Sequence, residues 1–343
     1  MHEIRFCQYD ELILLQDFLA KHWSENHVFV SSSKLLRWQH FSTVEKTINF
    51  VVAYNNNSKE FDAILGFIPT SQYDFNIKNR DIWLAIWKVK EEEASTGIGL
   101  KILLFLNSNY KASSIGVLGI SEDAMKIYKA FRYKTGILKH FYIKNDSLTN
   151  YHIASFNYVS NVNYSANPNI DIKQITDKEF LSANIFYQYT PYKTKYYFIN
   201  RYFNNSFYDY TFNALIIKNT IIGVFITRKI LVDKFACLRI VDWIGGYSKN
   251  LYNEFQKLLQ KNDAEYIDFL CKVPNEDEIS EMGFLEKNAD YAVIPNYFEP
   301  YLKKNTNIKF AYKSIENNYA IFKADSDQDR PNIIPRNLTK SID

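Results

Sequence analysis

Cysteine is scarce in this sequence, with three in 343 residues: Cys7, Cys237 and Cys271. They lie far apart and form no metal-ligand spacing. Each falls in or beside an apolar strand-like run, where a buried free thiol is the expected state. That usage fits a reducing compartment. An excess of one charge is also missing. Lys+Arg number 41 and Asp+Glu 38, a formal net charge of +3, so electrostatics imply no nucleic-acid partner. Any anionic ligand has to be met locally. No uninterrupted apolar run approaches 18 residues, so no membrane span is expected. The opening stretch MHEIRFCQYDE has acidic residues and no long apolar core, unlike a secretory leader. The expectation is a soluble cytoplasmic protein without a metal.

What is abundant is apolar and aromatic. Hydrophobic residues make up 47% and aromatics 17%, with 26 Tyr and 26 Phe, ample for sizeable cores and pocket walls. The length suggests two domains.

The chain is organised around residues 83–101, WLAIWKVKEEEASTGIGLK. They read as a strand over 83–89, a polar loop, and a glycine-bearing turn that opens a helix. Leu100, Leu103, Leu104 and Phe105 are apolar at helical spacing. Gly97 and Gly99 sit at the helix mouth beside Thr96 and Lys101. A helix N-terminus carries unpaired N–H groups and partial positive charge, and glycines there let an anion approach closely. The plainer alternative is a tight turn and nothing more.

Around this centre the first half reads in order. Residues 4–7 form a strand, and Asp10 starts a helix to about residue 21. An irregular stretch over 22–41 mixes Trp23, Glu25, His27, Arg37, Trp38 and His40. It suits either an acceptor pocket or a surface connection with aromatic anchors. Residues 48–54 and 63–69 form a hairpin. Strands follow at 83–89, 114–120 and 136–143, with helices over 99–108 and 121–131. Ser121 caps the last of these, and acids occupy its first turn.

Two motifs in this order resemble the GNAT family of acyl-CoA N-acyltransferases. The family pattern of Arg or Gln, two residues, Gly, one residue, then Gly or Ala appears as Ala94-Ser95-Thr96-Gly97-Ile98-Gly99, with Ala94 a departure. The family's Asn-x-x-Ala-x-x-x-Tyr helix appears as Ser121 through Tyr128, with Ala124 and Tyr128 in place. Ser121 replaces Asn, and Arg132 stands where the family has glycine. The resemblance covers roughly residues 1–145 and implies an α+β fold with a mostly antiparallel sheet.

It also implies roles. Trp87, Lys88 and Val89 would present backbone to the thioester and pantetheine. Thr96, Gly97, Ile98, Gly99, Leu100 and Lys101, with Ser121, would hold the cofactor. Tyr128 would protonate the leaving sulfur, its alternative being a packed core tyrosine. His27 is the candidate base, because histidine titrates near neutrality, with His40, Glu25 and Asp81 behind it. Acetyl-CoA is the implied acyl donor. Several stretches, among them HWSENHVFV and DIWLAIWKV, are similar to GNAT proteins inferred to acylate nucleotide-linked amino sugars of surface polysaccharides.

Residues 146–169 read as an Asn- and Ser-rich linker. Beyond them the order recurs: a strand at 170–175, a helix at 178–187, an aromatic segment at 192–203, a hairpin over 214–227, strands at 237–244 and 266–271, helices at 251–260 and 275–282, and a closing strand from 291. A second, degenerate GNAT-like domain over 170–313 is expected, serving structure and acceptor binding. Its GGYSKN turn does not match the cradle, and no tyrosine matches Tyr128. Residues 314–343 form a polar tail. In it Asp325, Asp327 and Arg330 either stay disordered or fold back onto the acceptor together with Trp23, Glu25 and His40. The expected function is N-acyl transfer to an amino sugar nucleotide, by a monomer or homodimer. Alternatives are a cell-wall aminoacyl transferase and a non-catalytic acyl-CoA sensor.

Overall fold

The structure is a computed structural model that describes residues 2–42, 44–91, 96–157 and 169–333. The first half runs β1 (His2–Gln8), α1 (Leu12–His22), α2 (Val28–Ser31), α3 (Ser33–His40), β2 (Phe41–Ser42), β3 (Thr47–Asn55), β4 (Glu60–Pro69), β5 (Asp81–Val89), α4 (Ile98–Tyr110), β6 (Ser114–Leu118), α5 (Glu122–Ala130), β7 (Lys134–Ile137), β8 (Lys139–Lys144) and β9 (Ser155–Phe156). The second runs β10 (Ile170–Gln174), α6 (Asp177–Ser182), α7 (Lys195–Phe198), β11 (Tyr210–Ile217), β12 (Thr220–Val232), β13 (Phe235–Gly245), α8 (Tyr252–Lys261), β14 (Ala264–Lys272), α9 (Asp277–Glu281), β15 (Leu285–Glu286), β16 (Ala292–Val293), β17 (Lys309–Ser314) and β18 (Ile321–Phe322).

The strands of the first half are near-continuous apolar runs because the sheet is covered on both faces. Successive side chains alternate between those faces. Ile48, Phe50, Val52, Ile64 and Ile86 pack with Leu15, Phe18, Leu19 and Leu36 of α1 and α3. Val51, Ala53, Leu65, Phe67 and Leu84 pack with Ile98, Ile102, Leu103 and Leu106 of α4. Each of these larger side chains contributes roughly 1.5–3 kcal/mol by leaving water. A one-residue slip would exchange the two sets, so register is firmly specified.

The two halves are the same α+β architecture. The first sheet has the order β1-β3-β4-β5-β6-β17-β7 and the second β10-β11-β12-β13-β14-β8-β15. All neighbours are antiparallel except the parallel pairs β5–β6 and β13–β14. The sixth position of each sheet is filled from the other half. β17 pairs with β6 and β7 of the first sheet, and β8 pairs with β14 of the second.

This exchange corrects three expectations. The strand expected at 136–143 breaks at the buried Leu138, whose N–H donates to the Ile308 carbonyl at 2.9 Å. Its two parts enter different sheets. The strand expected from 291 closes nothing, because β16 pairs only with β9 in a small third sheet. Of the polar tail expected over 314–343, residues 319–326 are instead a buried strap, with Tyr319, Ala320, Ile321 and Phe322 completely buried. A division near residue 145 therefore separates sequence repeats but cuts through paired strands. Of the expected linker, residues 158–168 lie outside the described residues, as do 334–343 of the tail.

Candidate active site

The geometry begins where β5 and β6 part. They pair from Asp81 opposite Ser114 to Leu84 opposite Val117. β6 then ends at Leu118 while β5 continues through Ala85, Ile86, Trp87, Lys88 and Val89. β5 also carries a bulge, since Leu65 faces Trp87 and Phe67 faces Leu84, leaving Ala85 and Ile86 opposite Gly66 alone. A bulge bends and re-aims a strand. Gly66 is required beneath it, because a Cβ there would lie 2.8 Å from the Phe50 ring. The result is a gap, or slot, between β5 and β6, along which Trp87–Val89 run on without a β6 partner.

The far end of the slot meets the N-terminus of α4. Gly97 is the cap residue, at φ 79°, a left-handed conformation that side chains resist. A Cβ on Gly97 would meet nothing within 4 Å, so the backbone is open to solvent. Gly99 has the other role glycine can play: a Cβ there would strike Val89 Cγ2 at 2.8 Å, so its absence lets α4 sit close on β5. Thr96 and Lys101 are exposed, Leu100 is partly exposed and Ile98 is buried. Lys88 pairs with Glu91 at 2.8 Å. Ala94 and Ser95, the start of the motif, lie outside the described residues.

Past the end of β6 the chain enters α5. Ser121 accepts the Ala124 N–H at 3.1 Å as its N-cap, which is how the chain turns after β6. Tyr128 is 1% exposed. Its ring lies 5.8 Å from that of Trp87 and 5.1 Å from that of Tyr133. Burial pushes its phenol well above the usual range, so it keeps its proton at neutral pH. The Trp87 indole N–H is buried without a partner among the described residues. Arg132, where the motif has glycine, takes φ 61°. The left-handed turn after the helix is thus kept without glycine, at a cost of roughly 1–2 kcal/mol.

The mouth of the slot is covered by the strap from the second half. The Ser326 hydroxyl donates to the Leu84 carbonyl at 2.6 Å, where β5 and β6 separate. A Cβ on Gly119, at the end of β6, would lie 2.6 Å from the Gln328 amide. Arg330 comes within 3.3 Å of His27 Nε2 and stacks over Phe29. Asp327 accepts from Arg330 Nε at 3.3 Å.

Compared by sequence, the chain matches no protein-family model and no curated protein. Compared by structure, it is similar to a GCN5-related N-acetyltransferase from Anabaena variabilis ATCC 29413, at a TM-score of 0.55 and 12% identity over 92% of this chain and 73% of that one. It is also similar to a GCN5-related N-acetyltransferase from Kribbella flavida, at 0.50 and 9% identity over 92% and 71%. The chain has the GNAT fold. Both halves of this GNAT-like chain are described by the same strand order, and the likeness reaches across both.

Within this fold the expected site residues fall into two groups. Trp87, Val89, Gly99 and Tyr128 come together, through the close approach of Gly99 to Val89 and Trp87 and the 5.8 Å spacing of the Trp87 and Tyr128 rings; Gly97 and Ser121 stand at the heads of α4 and α5, and Lys88 turns to Glu91. His27, Asp327 and Arg330 meet at the mouth of the slot. His27 Nδ1 accepts the Phe29 N–H at 3.2 Å as the cap of α2. Burial, reinforced by Arg330, lowers its pKa to about 4. His40 is fully buried beneath the bulge, bonded to the Phe67 carbonyl at 3.1 Å and the Gln39 amide at 3.2 Å, and burial lowers it to about 4 as well. Asp81 is committed to Ser114 at 2.7 Å and to the Tyr192 N–H at 3.0 Å. Trp23 lies half exposed beside His27, with ring centroids 5.9 Å apart, and Glu25 is exposed. Asp325 is buried in an ion pair with Lys193 at 2.9 Å, away from solvent. Sequence reasoning missed Lys193, Asp242, Ser326, Gln328 and Lys323. Lys193 meets Asp242 across 49 positions and Ser326 meets Leu84 across 242, separations at which no local spacing signals the contact.

Proposed function

We propose that this chain is an N-acyltransferase that moves an acyl group from acyl-CoA to an amine. The observation that carries this reading is the slot between β5 and β6, which opens beside an uncapped glycine turn at the start of α4. Pyrophosphate suits the N–H groups of Ile98, Gly99 and Leu100, to which no described residue offers an acceptor. Lys101 adds charge, and Ser121 caps α5. The amine nitrogen attacks the thioester carbonyl carbon, the carbon–sulfur bond breaks, and an amide and the CoA thiol result. Trp87 and Val89 backbone groups orient the donor. Tyr128, protonated and beside Trp87, returns a proton to the departing sulfur.

The amine's own proton is assigned to water. His27 is a poor base here, since Nδ1 already accepts the Phe29 N–H, the Arg330 guanidinium lies 3.3 Å from Nε2, and burial keeps the ring neutral down to about pH 4. We assign it to positioning Arg330. Asp327, at the mouth, faces the acceptor amine.

For the donor, acetyl-CoA is the simplest acyl-CoA. For the acceptor, a nucleotide-linked amino sugar is supported by the resemblance of the stretches at 22–30 and 81–89 to GNAT proteins of polysaccharide genes, and by the pairing of a carboxylate with cationic side chains at the mouth. The test is calorimetry with acetyl-CoA on the wild type and Gly97→Trp, followed by thiol release with a panel of amino sugar nucleotides. Binding that is lost in the folded Gly97→Trp variant is expected. Unchanged affinity would move the cradle elsewhere, and binding with no thiol release on any amine would favour an acyl-CoA sensor.

A further inference from the structure

Behind the mouth, on the second half, lies a cavity of about 130 Å³ bordered by Tyr208, Arg228, Arg239, Lys323, Gln328 and Arg330 among others. One water needs roughly 10–15 Å³ of such space, so the cavity has room for a small polyatomic ion. Its floor is unusual in charge. Lys323 is 3% exposed, yet among the described residues its ammonium has a single acceptor, the Gln328 carbonyl. No carboxylate among the described residues forms an ion pair with it.

The neighbouring guanidiniums are already committed. Arg239 is fully buried and bonds Asp268 at 2.9 and 2.6 Å, with the carbonyls of Pro295 and Asn296 at 2.9 and 3.1 Å. Arg228 pairs with Asp329 at 2.8 Å, but its Nε–H is buried with no partner among the described residues. A buried ammonium with two free N–H bonds, next to an orphaned guanidinium N–H, is an expensive arrangement. A bound anion removes the cost by supplying acceptors and charge together.

We propose that this cavity binds an oxyanion of the acceptor, a phosphate or a carboxylate, with Lys323 as its principal contact and the Arg228 Nε–H as its second. The inference rests on the acyl-transfer reading for the ligand's identity as acceptor, and deepens it. The cavity shares Gln328 and Arg330 with the mouth of the slot, so an acceptor anchored here by its anion would present its amine toward Asp327. Tyr297, which also lines the cavity, offers a ring edge to the part of the acceptor between the two.

Protonation supplies a control. The charged groups that act on Lys323 are Arg228 of β12, Arg239 of β13, Asp268 of β14 and Asp329 of the strap, and the carboxylates of Glu299 and Asp327 and the Arg330 guanidinium also line the cavity. Burial, with Arg239 next, lowers the Lys323 ammonium to about 7. Sulfate and acetate both keep a constant charge across neutral pH, so a loss of affinity there reports the protein.

The experiment uses the full chain at constant ionic strength, with sulfate and acetate each titrated by calorimetry. One anion should saturate, and which one distinguishes a phosphate-type from a carboxylate-type acceptor. Affinity should fall roughly 10-fold or more in Lys323→Met, the scale of a lost hydrogen bond to a charged group, and should fall as pH rises from about 6 to about 8. Acetyl-CoA affinity should not change in that variant. The proposal is overturned if neither anion saturates, or if Lys323→Met binds as tightly as the wild type. Should that variant not fold, an affinity of the wild type that is flat from about pH 6 to 8 overturns it. Anion binding without acetyl-CoA binding would sink the acyl-transfer reading alone.

Discussion

The two halves share a strand order and part company at one gap. In the first half, β5 and β6 diverge after Leu84 and the gap is a slot. In the second half, the equivalent parallel pair β13 and β14 also ends its pairing early, at Ile240 opposite Phe269. There the chain fills the gap itself. Phe322 pairs with Cys271 and Ile321 with Lys272, on the β13 side, because β8 already holds the other edge of β14. The Ala324 N–H then bonds the Val241 carbonyl at 3.0 Å.

The helix that follows β13 is closed as well. The N–H groups of Asn250 and Leu251 donate to Glu281 and Met282, whereas Gly97 at the head of α4 is open. The same fold thus has one gap that the strap only crosses, beside an open helix head, and one that the chain plugs with a strand. The plug is pinned by Lys193, whose ammonium lies between Asp242 at 2.8 Å and Asp325 at 2.9 Å with all three side chains fully buried. From this pinned point the strap continues to Ser326 and Asp327 at the mouth of the open slot.

Lys193→Met should break the comparison most severely. It leaves two buried carboxylates without their cation, an effect on the order of 3–5 kcal/mol. Urea unfolding should show that loss. A stability within error of the wild type would mean that the plug is not held by this charge cluster.

Tyr128→Phe tests the open half. Turnover should drop ~10²–10⁴-fold with little change in the binding of either substrate. A wild-type rate would remove the phenol from the mechanism.

His40 gives a pH signature to the first half. Its folded pKa is lowered to about 4 by burial beneath the bulge, so the unfolded chain binds more protons between about pH 4 and 6.5. Its contribution to stability is present above pH 6.5 and is lost as pH falls toward 4. At pH 5 the loss should be about 2 kcal/mol. Urea midpoints at pH 7 and pH 5 on the wild type and His40→Gln would read it, and an equal pH dependence in both proteins would refute it.

The smallest effect is expected from Asp327→Asn at the junction of the halves. It should raise the acceptor's KM about 10-fold, near the value of one charge-assisted hydrogen bond, and leave that of acyl-CoA unchanged. Equal changes in both constants would detach Asp327 from the acceptor.

Much of this was legible in the residues. The strands at 48–54, 63–69 and 83–89 announce themselves as apolar runs because both sheet faces are covered. The glycine turn before α4 and the Ser121 cap before α5 are local chemistry, visible at short range. Arg132 is instructive in the other direction: the motif departs there, yet the backbone keeps the left-handed turn, since the surrounding packing outweighs roughly 1–2 kcal/mol of local strain. The strand at 309–314 was missed because KFAYKS is short and its partners, β6 and β7, lie nearly 200 residues earlier.

Sequence alone therefore determined what depends on neighbours within a few residues: the apolar strands of the first hairpin and of 83–89, the Ser121 cap, and the glycine turn at the head of α4. Tertiary structure decided what depends on closing long loops. It chose which sheet received β8 and β17, it put β18 into the second gap, and it brought Asp327 and Arg330 to His27 rather than leaving them in a solvated tail. Those choices turn on edge pairing and the burial of Lys193 with its carboxylates Asp242 and Asp325. Such energies exist only once distant segments have met, so no spacing along the chain records them.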